Sequence, residues 1–370
     1  MATTYRYLFV NLSDDTIIAE LPLTGVGFTQ QLNQAGTFSG HILLSGVNSY
    51  AFNIDASTIP GKCAVYVDRD GILVWGGVIW GRQYNSTSQT LSITAREWIS
   101  YFEHRRITAD VQFNNIDQLV ISKTLIENAQ AATYGNINVG YNSQGQTTSG
   151  ILVDRTYYEY ELKGVFQAIQ DLSRQSDGFD FDIDVSYDGI TGLPTKDFNT
   201  YYPRSGLVYA AGDIDVPVFI FPAGNIVEYE YPEDGATVAN SVYALGAGSN
   251  EGKLISNAQD AGKFADGWAL LENVANYSDI TDQTVLDNLA IAQVLATSYP
   301  PVVLKVVVPA YVNPVFGTYE VGDDARVIIQ DNRFPTGLDE IYRIVGISVQ
   351  PGEDGPERVT LTLTQGADEG

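Results

Sequence analysis

The chain is almost without the residues that bind soft metals or form covalent cross-links. Its 370 residues include one cysteine, one methionine and two histidines. A single cysteine, Cys63, excludes an intrachain disulfide and a cysteine metal cluster. His41 and His104 are 63 positions apart, so they do not form a metal-binding pair of short spacing. The HExxH, GxSxG and P-loop patterns are also absent, which leaves no motif that points to an enzyme.

Long apolar runs are missing too. The longest, VPVFIFPAG at 216–224, has the length of a strand and ends at Pro and Gly. A membrane helix needs ~20 apolar residues, so we expect no membrane span. The first residues, MATTYRYLFVNLSDD, have no basic segment before an apolar one, and we expect no signal peptide. With its lone cysteine, this composition suits a chain that folds in a reducing compartment.

Positive charge is scarce. The chain carries 20 Lys and Arg against 45 Asp and Glu, a net charge of −25. Residues 1–110 have a net charge of −2, and residues 111–370 have −23. Such a surface repels phosphate, so we expect no specific binding of nucleic acid. A wall past which DNA must slide would benefit from the same repulsion.

Strand signals dominate the first 95 residues. Apolar and polar residues alternate over 17–44 and 63–95, and glycines and an Asp-Gly turn separate the alternating segments. Many short strands in so short a stretch predict a small β-barrel or sandwich over residues 1–107. The pair Gly76-Gly77, inside a strand-like segment, predicts a bulge or sharp bend.

The segment ITAREWISYFEHRRI, residues 93–107, gathers charge and one of the two histidines. Helical spacing puts Trp98, Tyr101 and Phe102 on one apolar stripe. The other side carries the polar residues Arg96, Glu97, Ser100, Glu103 and His104. We favour a helix that closes the barrel with its charges in water, and acid–base catalysis by Glu97 and His104 is the alternative.

The rest of the chain alternates between helical and strand patterns. Residues 108–224 combine two helical stretches, 116–132 and 158–177, with an alternating strand, GFDFDIDVSYDG, and therefore predict an α+β domain. Residues 225–248 and 300–366 are strand-like and predict a second barrel. Residues 249–299 have a helical pattern, with helices predicted over 262–276 and 282–299, and predict an insert in that barrel. The predicted fold class is α+β and mostly β.

Two groups of acids stand out. Asp180, Asp182 and Asp184 alternate on one strand and would suit Ca²⁺, but we favour a solvated strand face opposite Phe179, Phe181, Ile183 and Val185. Asp323-Asp324 follows a glycine, which favours turn chemistry over a site. We therefore assign no catalytic, cofactor-binding or metal-binding residue.

Three stretches carry a family resemblance: 17–44, 65–107 and 158–187. They are similar to the minor tail proteins of actinobacteriophage siphoviruses, the Gp37-like tail family. More distantly, the order of domains resembles that of phage baseplate hubs. The resemblance implies two tube-like barrels per chain and a homotrimer with six barrel units. Such a ring adapts a sixfold tail tube to a threefold tip, and its acidic lumen keeps DNA from sticking during ejection.

The leading interpretation is a structural virion protein without catalysis, cofactor or metal. It would be made in the host cytoplasm and placed at the tail tip, where it contacts tail-tube and other tip proteins. The basic segment His104-Arg105-Arg106 interrupts an acidic chain and is a candidate contact with a neighbouring subunit. Two alternatives remain: a tail-associated cell-wall hydrolase using Glu97 and His104 or the acids at 180–184, and a carbohydrate-binding module. The module would use exposed aromatic rings, for example those of Tyr157, Tyr158, Tyr201 and Tyr202.

Overall fold

The protein is mostly β, with 43% of its residues in strands and 17% in helices. This confirms the predicted class. The computed structural model describes residues 3–44, 53–141, 143–175, 177–209, 213, 215–278, 280–299, 302–352 and 355–365. No helix in these ranges is both long and apolar enough to cross a membrane.

The strands, in chain order, are β1 Tyr5–Asn11, β2 Ile17–Glu20, β3 Thr24–Gln31, β4 Thr37–Leu43, β5 Cys63–Arg69, β6 Ile72–Asn85, β7 Thr90–Glu97, β8 Val111–Asp117, β9 Gly140–Tyr141, β10 Leu152–Tyr157, β11 Asp180–Tyr187, β12 Pro194–Tyr201, β13 Val218–Phe221, β14 Glu228–Glu230, β15 Ser241–Leu245, β16 Ile255–Gln259, β17 Glu272–Asn276, β18 Val303–Pro309, β19 Asp324–Ile329, β20 Leu338–Gln350 and β21 Arg358–Gln365. The helices are α1 Ile54–Ser57, α2 Ser100–Glu103, α3 Gln118–Ala131, α4 Val165–Ser173, α5 Ala261–Ala265 and α6 Gln283–Thr297.

The helix predicted for 93–107 is much shorter in the structure. Strand β7 continues to Glu97, because Arg96 pairs with Thr37 of β4 and Glu97 pairs with Gly77 of β6. Only Ser100–Glu103 forms a helix, α2. Arg96 and Glu97 are therefore strand residues, and the prediction that they lie on the polar side of a helix is wrong.

The other helical predictions had mixed outcomes. Helices α3 and α6 occupy their predicted stretches, and α4 begins at Val165, later than the pattern at 158–177 indicated. The helix predicted across 262–276 is wrong. Helix α5 ends at Ala265, shortly before Gly267, whose φ of 86° does not fit a helix. Residues Glu272–Asn276 then form strand β17 in parallel with β15.

One large sheet runs through both the N-terminal and the C-terminal strand regions. Its hydrogen-bonded order is β14-β18-β21-β20-β3-β4-β7-β6-β5-β1-β2, and β19 joins it by pairing with β20 and β13. The two regions meet where β3 pairs with β20, from Gln31 opposite Gly346 to Phe28 opposite Val349. Within the described residues this order does not close on itself.

Large aromatic side chains fill the N-terminal region, and glycines make room for them. Trp75, Trp98 and Tyr66 are fully buried. A Cβ on Gly76 would lie 2.7 Å from the Trp98 ring nitrogen and from Tyr66, and one on Gly77 would lie 2.1 Å from the Arg96 carbonyl oxygen. Pairing with β5 continues through both glycines, so the predicted bulge does not lie at this pair. Close packing explains the pair instead.

Two compact units make up the chain: residues 1–229 with 306–370, and residues 230–305. The first holds the large sheet, the strand pair β8 and β10, the sheet β11-β12-β9, and helices α1 to α4. The second holds the sheet β16-β15-β17 beside α6. Strand β15, which the sequence assigned to the second barrel, thus pairs within this smaller sheet. The four-part domain division from the sequence stays a prediction.

Candidate functional site

An acidic cleft in the larger unit is the most developed candidate site in the described part of the chain. It encloses about 380 Å³. Its walls come from several parts of the sequence: 30–34, 69–74, 97–99, 144, 181–184 of β11, 201 and 205, and 316–321. Carboxyl groups enter from three of these parts. Apolar side chains line the remainder, including Leu73, Ile99 and Phe316.

Glu97 enters the cleft because it is the last residue of a strand. Its Oε2 accepts a hydrogen bond of 2.6 Å from the backbone N–H of Gly36. Burial, with a smaller contribution from the charge of Asp182, raises the pKa of Glu97 to about 8, although the Gly36 hydrogen bond opposes the rise. Glu97 is thus protonated in a large fraction of molecules at neutral pH.

Asp182 and Asp184 reach the same cleft from strand β11. The Asn199 amide donates to Asp182 Oδ1 at 3.2 Å and the Tyr201 hydroxyl donates to Asp182 Oδ2 at 3.3 Å. Removal from bulk water, followed by the charge of Asp184, raises the pKa of Asp182 to about 7, while the hydrogen bonds from Asn199 and Tyr201 oppose the rise. The Asp182 side chain is nevertheless exposed at the mouth of the cleft. Burial also raises the pKa of Asp184. The interpretation of these two residues as an ordinary solvated strand face is therefore incomplete.

Glu320 faces the aspartates from the connection between β18 and β19. Its backbone N–H donates to Asp323 Oδ2 at 2.9 Å, which fixes the turn that carries it. Burial, followed by the charges of Asp184 and Asp323, raises the pKa of Glu320. Nothing in the sequence marked this residue, because its position opposite β11 depends on a contact between distant parts of the chain.

The cleft has one arginine in its wall, and that arginine is already paired. Arg69 forms an ion pair of 2.8 Å with Glu357, which also accepts a hydrogen bond from the Tyr5 hydroxyl. Within the described ranges, no lysine or arginine lies within 4.0 Å of a carboxylate oxygen of Glu97, Asp182, Asp184 or Glu320. The like charges therefore repel one another, which contributes to the raised pKa values.

A neighbouring wall residue, Tyr319, has an unsatisfied hydroxyl. Its side chain is 1% exposed, and its hydroxyl has no hydrogen-bond partner. Burial raises its pKa, so this hydroxyl stays protonated. A buried polar group without a partner costs free energy.

The Ca²⁺ alternative for the 180–184 acids finds no geometric support. Asp180 is separated from the other two acids by its own partners: Arg343 as an ion pair, the Asn33 amide at 2.7 Å and the backbone N–H of Ser205 at 2.8 Å. Across the described ranges, no group of three or more His, Cys, Asp or Glu side chains has an arrangement that could hold a metal ion. Asp180 instead connects the β3–β4 turn, β11 and β20.

The pair Asp323-Asp324 has the structural role that its position after a glycine indicated. Asp323 Oδ1 accepts from the backbone N–H of Leu207 at 2.7 Å, and Asp324 forms an ion pair of 2.6 Å with Arg204. Both aspartates are buried. They hold the chain after β12 against the start of β19.

The proposed subunit contact, His104-Arg105-Arg106, is only partly on the surface. The His104 ring lies against the Trp80 ring at 4.4 Å between centroids. Arg105 donates to the Ala129 carbonyl oxygen at 3.0 Å and lies over the Tyr101 ring, so it anchors α2 to α3. Arg106 is exposed and donates to the carbonyl oxygens of Glu103 and Arg105. Arg106 is therefore the member best placed to meet another molecule.

The residues named for the hydrolase do not lie together, and neither do those named for the carbohydrate-binding module. Glu97 lines the cleft, whereas His104 is not part of its wall. Tyr157 is buried, Tyr201 is bonded to Asp182, and Tyr158 stacks on the exposed Tyr160 at 5.3 Å. The four tyrosines named from the sequence do not form a shared exposed platform.

Comparison with known proteins gives a consistent match in fold. No protein-family model and no curated protein sequence matches the chain. The tail protein from Neisseria meningitidis MC58 aligns with a TM-score of 0.61 and 14% identity, covering 97% of both chains. The 43 kDa tail protein of prophage MuSo2 from Shewanella oneidensis aligns at 0.58 and 15%, covering 98% of this chain and 97% of that one.

A third tail protein also aligns over nearly its whole length, with a lower TM-score. Prophage tail protein gp18 from Listeria monocytogenes EGD-e aligns at a TM-score of 0.52 and 14% identity, covering 98% of this chain and 95% of that one. At such low identity these matches establish a common fold. The narrower resemblance to the Gp37-like siphovirus family is not confirmed by them. The chain has, over nearly its whole length, the fold of phage tail proteins.

Proposed function

We propose that the chain is a structural tail protein of a phage or prophage particle, located at the tail tip as a hub. The single observation that carries this proposal is the match to three tail proteins over 95–98% of both chains in each pair. The match covers residues of both units and nearly all of each tail protein. It therefore concerns the whole architecture and not one common module.

The finer proposal is a homotrimeric ring that adapts a sixfold tube to a threefold tip. Each chain contributes an N-terminal and a C-terminal strand region, joined by hydrogen bonds between β3 and β20. Three copies would place six such regions around the axis. The net charge of −25 then suits a channel through which DNA passes without binding.

Light scattering of the purified chain tests the ring. We expect a mass of three times 40.3 kDa at ~0.15 M salt, where the Debye length is about 8 Å and repulsion between acidic copies is screened. Negative-stain images should show particles with a central channel. A monomer at all concentrations, together with antibody labelling away from the tail tip in virions, would contradict the proposal.

A second candidate function, cell-wall hydrolysis, is favoured by one observation, the raised pKa values of Glu97 and Asp182. A carboxyl group protonated near neutral pH can act as a general acid. Zymography on host cell walls decides between the two. Clearing of the cell walls by the wild type that disappears with Glu97→Gln would establish hydrolase activity. The absence of clearing supports a purely structural role.

A further inference from the structure

We propose that the acidic cleft binds a basic side chain, a lysine or arginine, presented by a partner protein. The inference rests on the proposed tail role in one respect: that role makes the partner another tail protein. The binding chemistry is argued from the cleft itself. Three observations carry it: the volume of the cleft, its mixed apolar and acidic walls, and the carboxyl groups without a cationic partner.

The dimensions and walls of the cleft fit this kind of side chain. Its volume of about 380 Å³ is at the small end of ligand sites. Lysine and arginine have an apolar stem and a charged end, and they bury the stem along apolar surface. The cleft offers both kinds of surface, with Leu73, Ile99 and Phe316 as apolar wall and Asp182 and Glu97 as acidic wall.

The charges of the cleft favour a cation over a neutral ligand. Glu97 comes from β7, Asp182 and Asp184 from β11, and Glu320 from the β18–β19 connection. The other charged or titratable groups that act on them are Asp197 and Tyr201 of β12, Asp323 of the same connection, and Arg69 in the wall. Arg69 is neutralised by Glu357. An incoming ammonium or guanidinium group would relieve the repulsion among the acids.

The proposed binding is linked to proton release. A cation lowers the pKa of each carboxyl group that it contacts, so Glu97 and Asp182 lose protons when the ligand enters. Asp182, with a pKa of about 7, changes from mostly protonated at pH 6 to mostly ionised at pH 8. The ligand should therefore bind roughly five- to tenfold more tightly at pH 8 than at pH 6.

The test uses the full chain and a peptide with one positive charge. The probe is a nonapeptide of alternating glycine and serine with a single central lysine and with both termini blocked by acetylation and amidation. Its partner probe has norleucine in place of the lysine and therefore carries no charge. The ¹³C-carboxyl NMR signals of Asp and Glu are followed during titration at pH 6 and pH 8. We expect saturable shifts at Asp182 and Glu97 with the lysine peptide, and none with the norleucine peptide.

Two variants separate the cleft from the acidity of the whole surface. Asp182→Asn removes a cleft charge and should weaken binding at least fivefold at pH 8. Glu161→Gln removes one charge from an exposed residue outside the cleft and should leave binding unchanged. Equal affinity of the two variants would overturn the proposal, as would equal shifts with the norleucine peptide. If Asp182→Asn lowers stability, two measurements on the wild type still test the proposal: the difference in binding between pH 6 and pH 8, and the difference between the lysine and norleucine peptides.

The light-scattering measurement keeps this result distinct from the proposed function. If the protein forms the trimeric ring but does not bind the lysine peptide, only the binding site is refuted. A monomer that binds the peptide would refute the ring alone.

Discussion

The environment of the Glu97 side chain depends on the secondary structure of its segment. On a helix it would face water beside Glu103 and His104. As the last residue of β7 it faces Gly36 and the cleft instead. Its environment disfavours the charged form, so the folded protein binds a proton that the unfolded chain has already released at neutral pH.

The raised pKa of Glu97 predicts a pH-dependent stability difference. A folded-state pKa of about 8, against an ordinary value of 4.5, means that the contribution of Glu97 to stability is fully present below pH 4.5 and is lost as pH rises between these values. Glu97→Gln removes this loss. Each pKa unit corresponds to about 1.4 kcal/mol, and after allowance for solvent screening we expect the variant to gain about 1–2 kcal/mol over wild type at pH 9.

Urea unfolding at pH 5 and pH 9 measures this effect. At pH 5 the two proteins should differ far less in unfolding free energy than at pH 9, because the folded carboxyl group is still neutral and only that of the unfolded chain has begun to lose its proton. Glu161→Gln serves as the control and should show no such difference. A Glu97→Gln variant that is destabilised equally at both pH values would mean that the glutamate is needed for its hydrogen bond and not penalised for its charge.

The sequence identified the acidic residues but not their grouping. Alternation placed Asp180, Asp182 and Asp184 on one strand face, which is correct. It could not show that Asn33 and Arg343, from positions far away in the chain, isolate Asp180 from the other two. Such separation depends on tertiary contacts, for which local periodicity carries no information.

Helices α3 and α6 differ in how firmly their first turns are held. Asp117 caps α3 by accepting from Leu119 N–H at 2.9 Å, and it also accepts from the N–H groups of Ser149 and Gly150 at 2.8 and 2.7 Å. Asp117 is buried. Asp282 caps α6 through one bond, from Val285 N–H at 3.0 Å, and it is exposed.

Alanine substitution of the two caps should therefore have unequal effects. Asp117→Ala leaves the buried N–H group of Leu119 and the partly buried N–H groups of Ser149 and Gly150 without this partner, and should cost about 3 kcal/mol. Asp282→Ala removes a single exposed cap and should cost about 1 kcal/mol. Hydrogen-exchange mass spectrometry should show faster exchange in α3 and in residues 149–151 for the first variant, and only in the first turn of α6 for the second. Equal effects would argue against the role of the additional bonds.

At the level of elements, long periodic segments were predictable and short ones were not. The apolar pattern in 116–132 gave α3, since fourteen residues leave room for a full stripe. The four-residue α2 and five-residue α5 are too short to have a period of their own. Strand β17 has a polar and irregular composition, and its pairing with β15 alone makes it a strand.

At the level of the whole molecule, the surface is acidic and Arg106 is an exposed exception. Arg105, which the sequence grouped with it, is occupied by the Ala129 carbonyl oxygen and the Tyr101 ring. A contact between copies through this region would thus depend on Arg106, with His104 held against Trp80 beside it. Interface arginines paired with carboxylates are among the residues whose loss is most costly.

Arg106→Glu should impair assembly without unfolding the chain. We expect light scattering to show loss of the proposed trimer, and circular dichroism to show an unchanged unfolding midpoint, because the side chain bonds to nearby carbonyl groups. Arg174→Glu reverses the same charge at an exposed position after α4 and should assemble normally. Normal assembly of Arg106→Glu would exclude this residue from the contact.

The pairing of β3 with β20 has a consequence for how the chain is made. Gln31 and Gly346 are partners although more than 300 residues separate them. A ribosome that adds ~5–20 residues per second needs roughly 15–60 s to supply the second strand after the first. During that interval β3 has an open edge of unpaired N–H and C=O groups, the feature that promotes association with the wrong chain. Every translation product that stops before Leu338 keeps that edge open, so only completed synthesis can protect it.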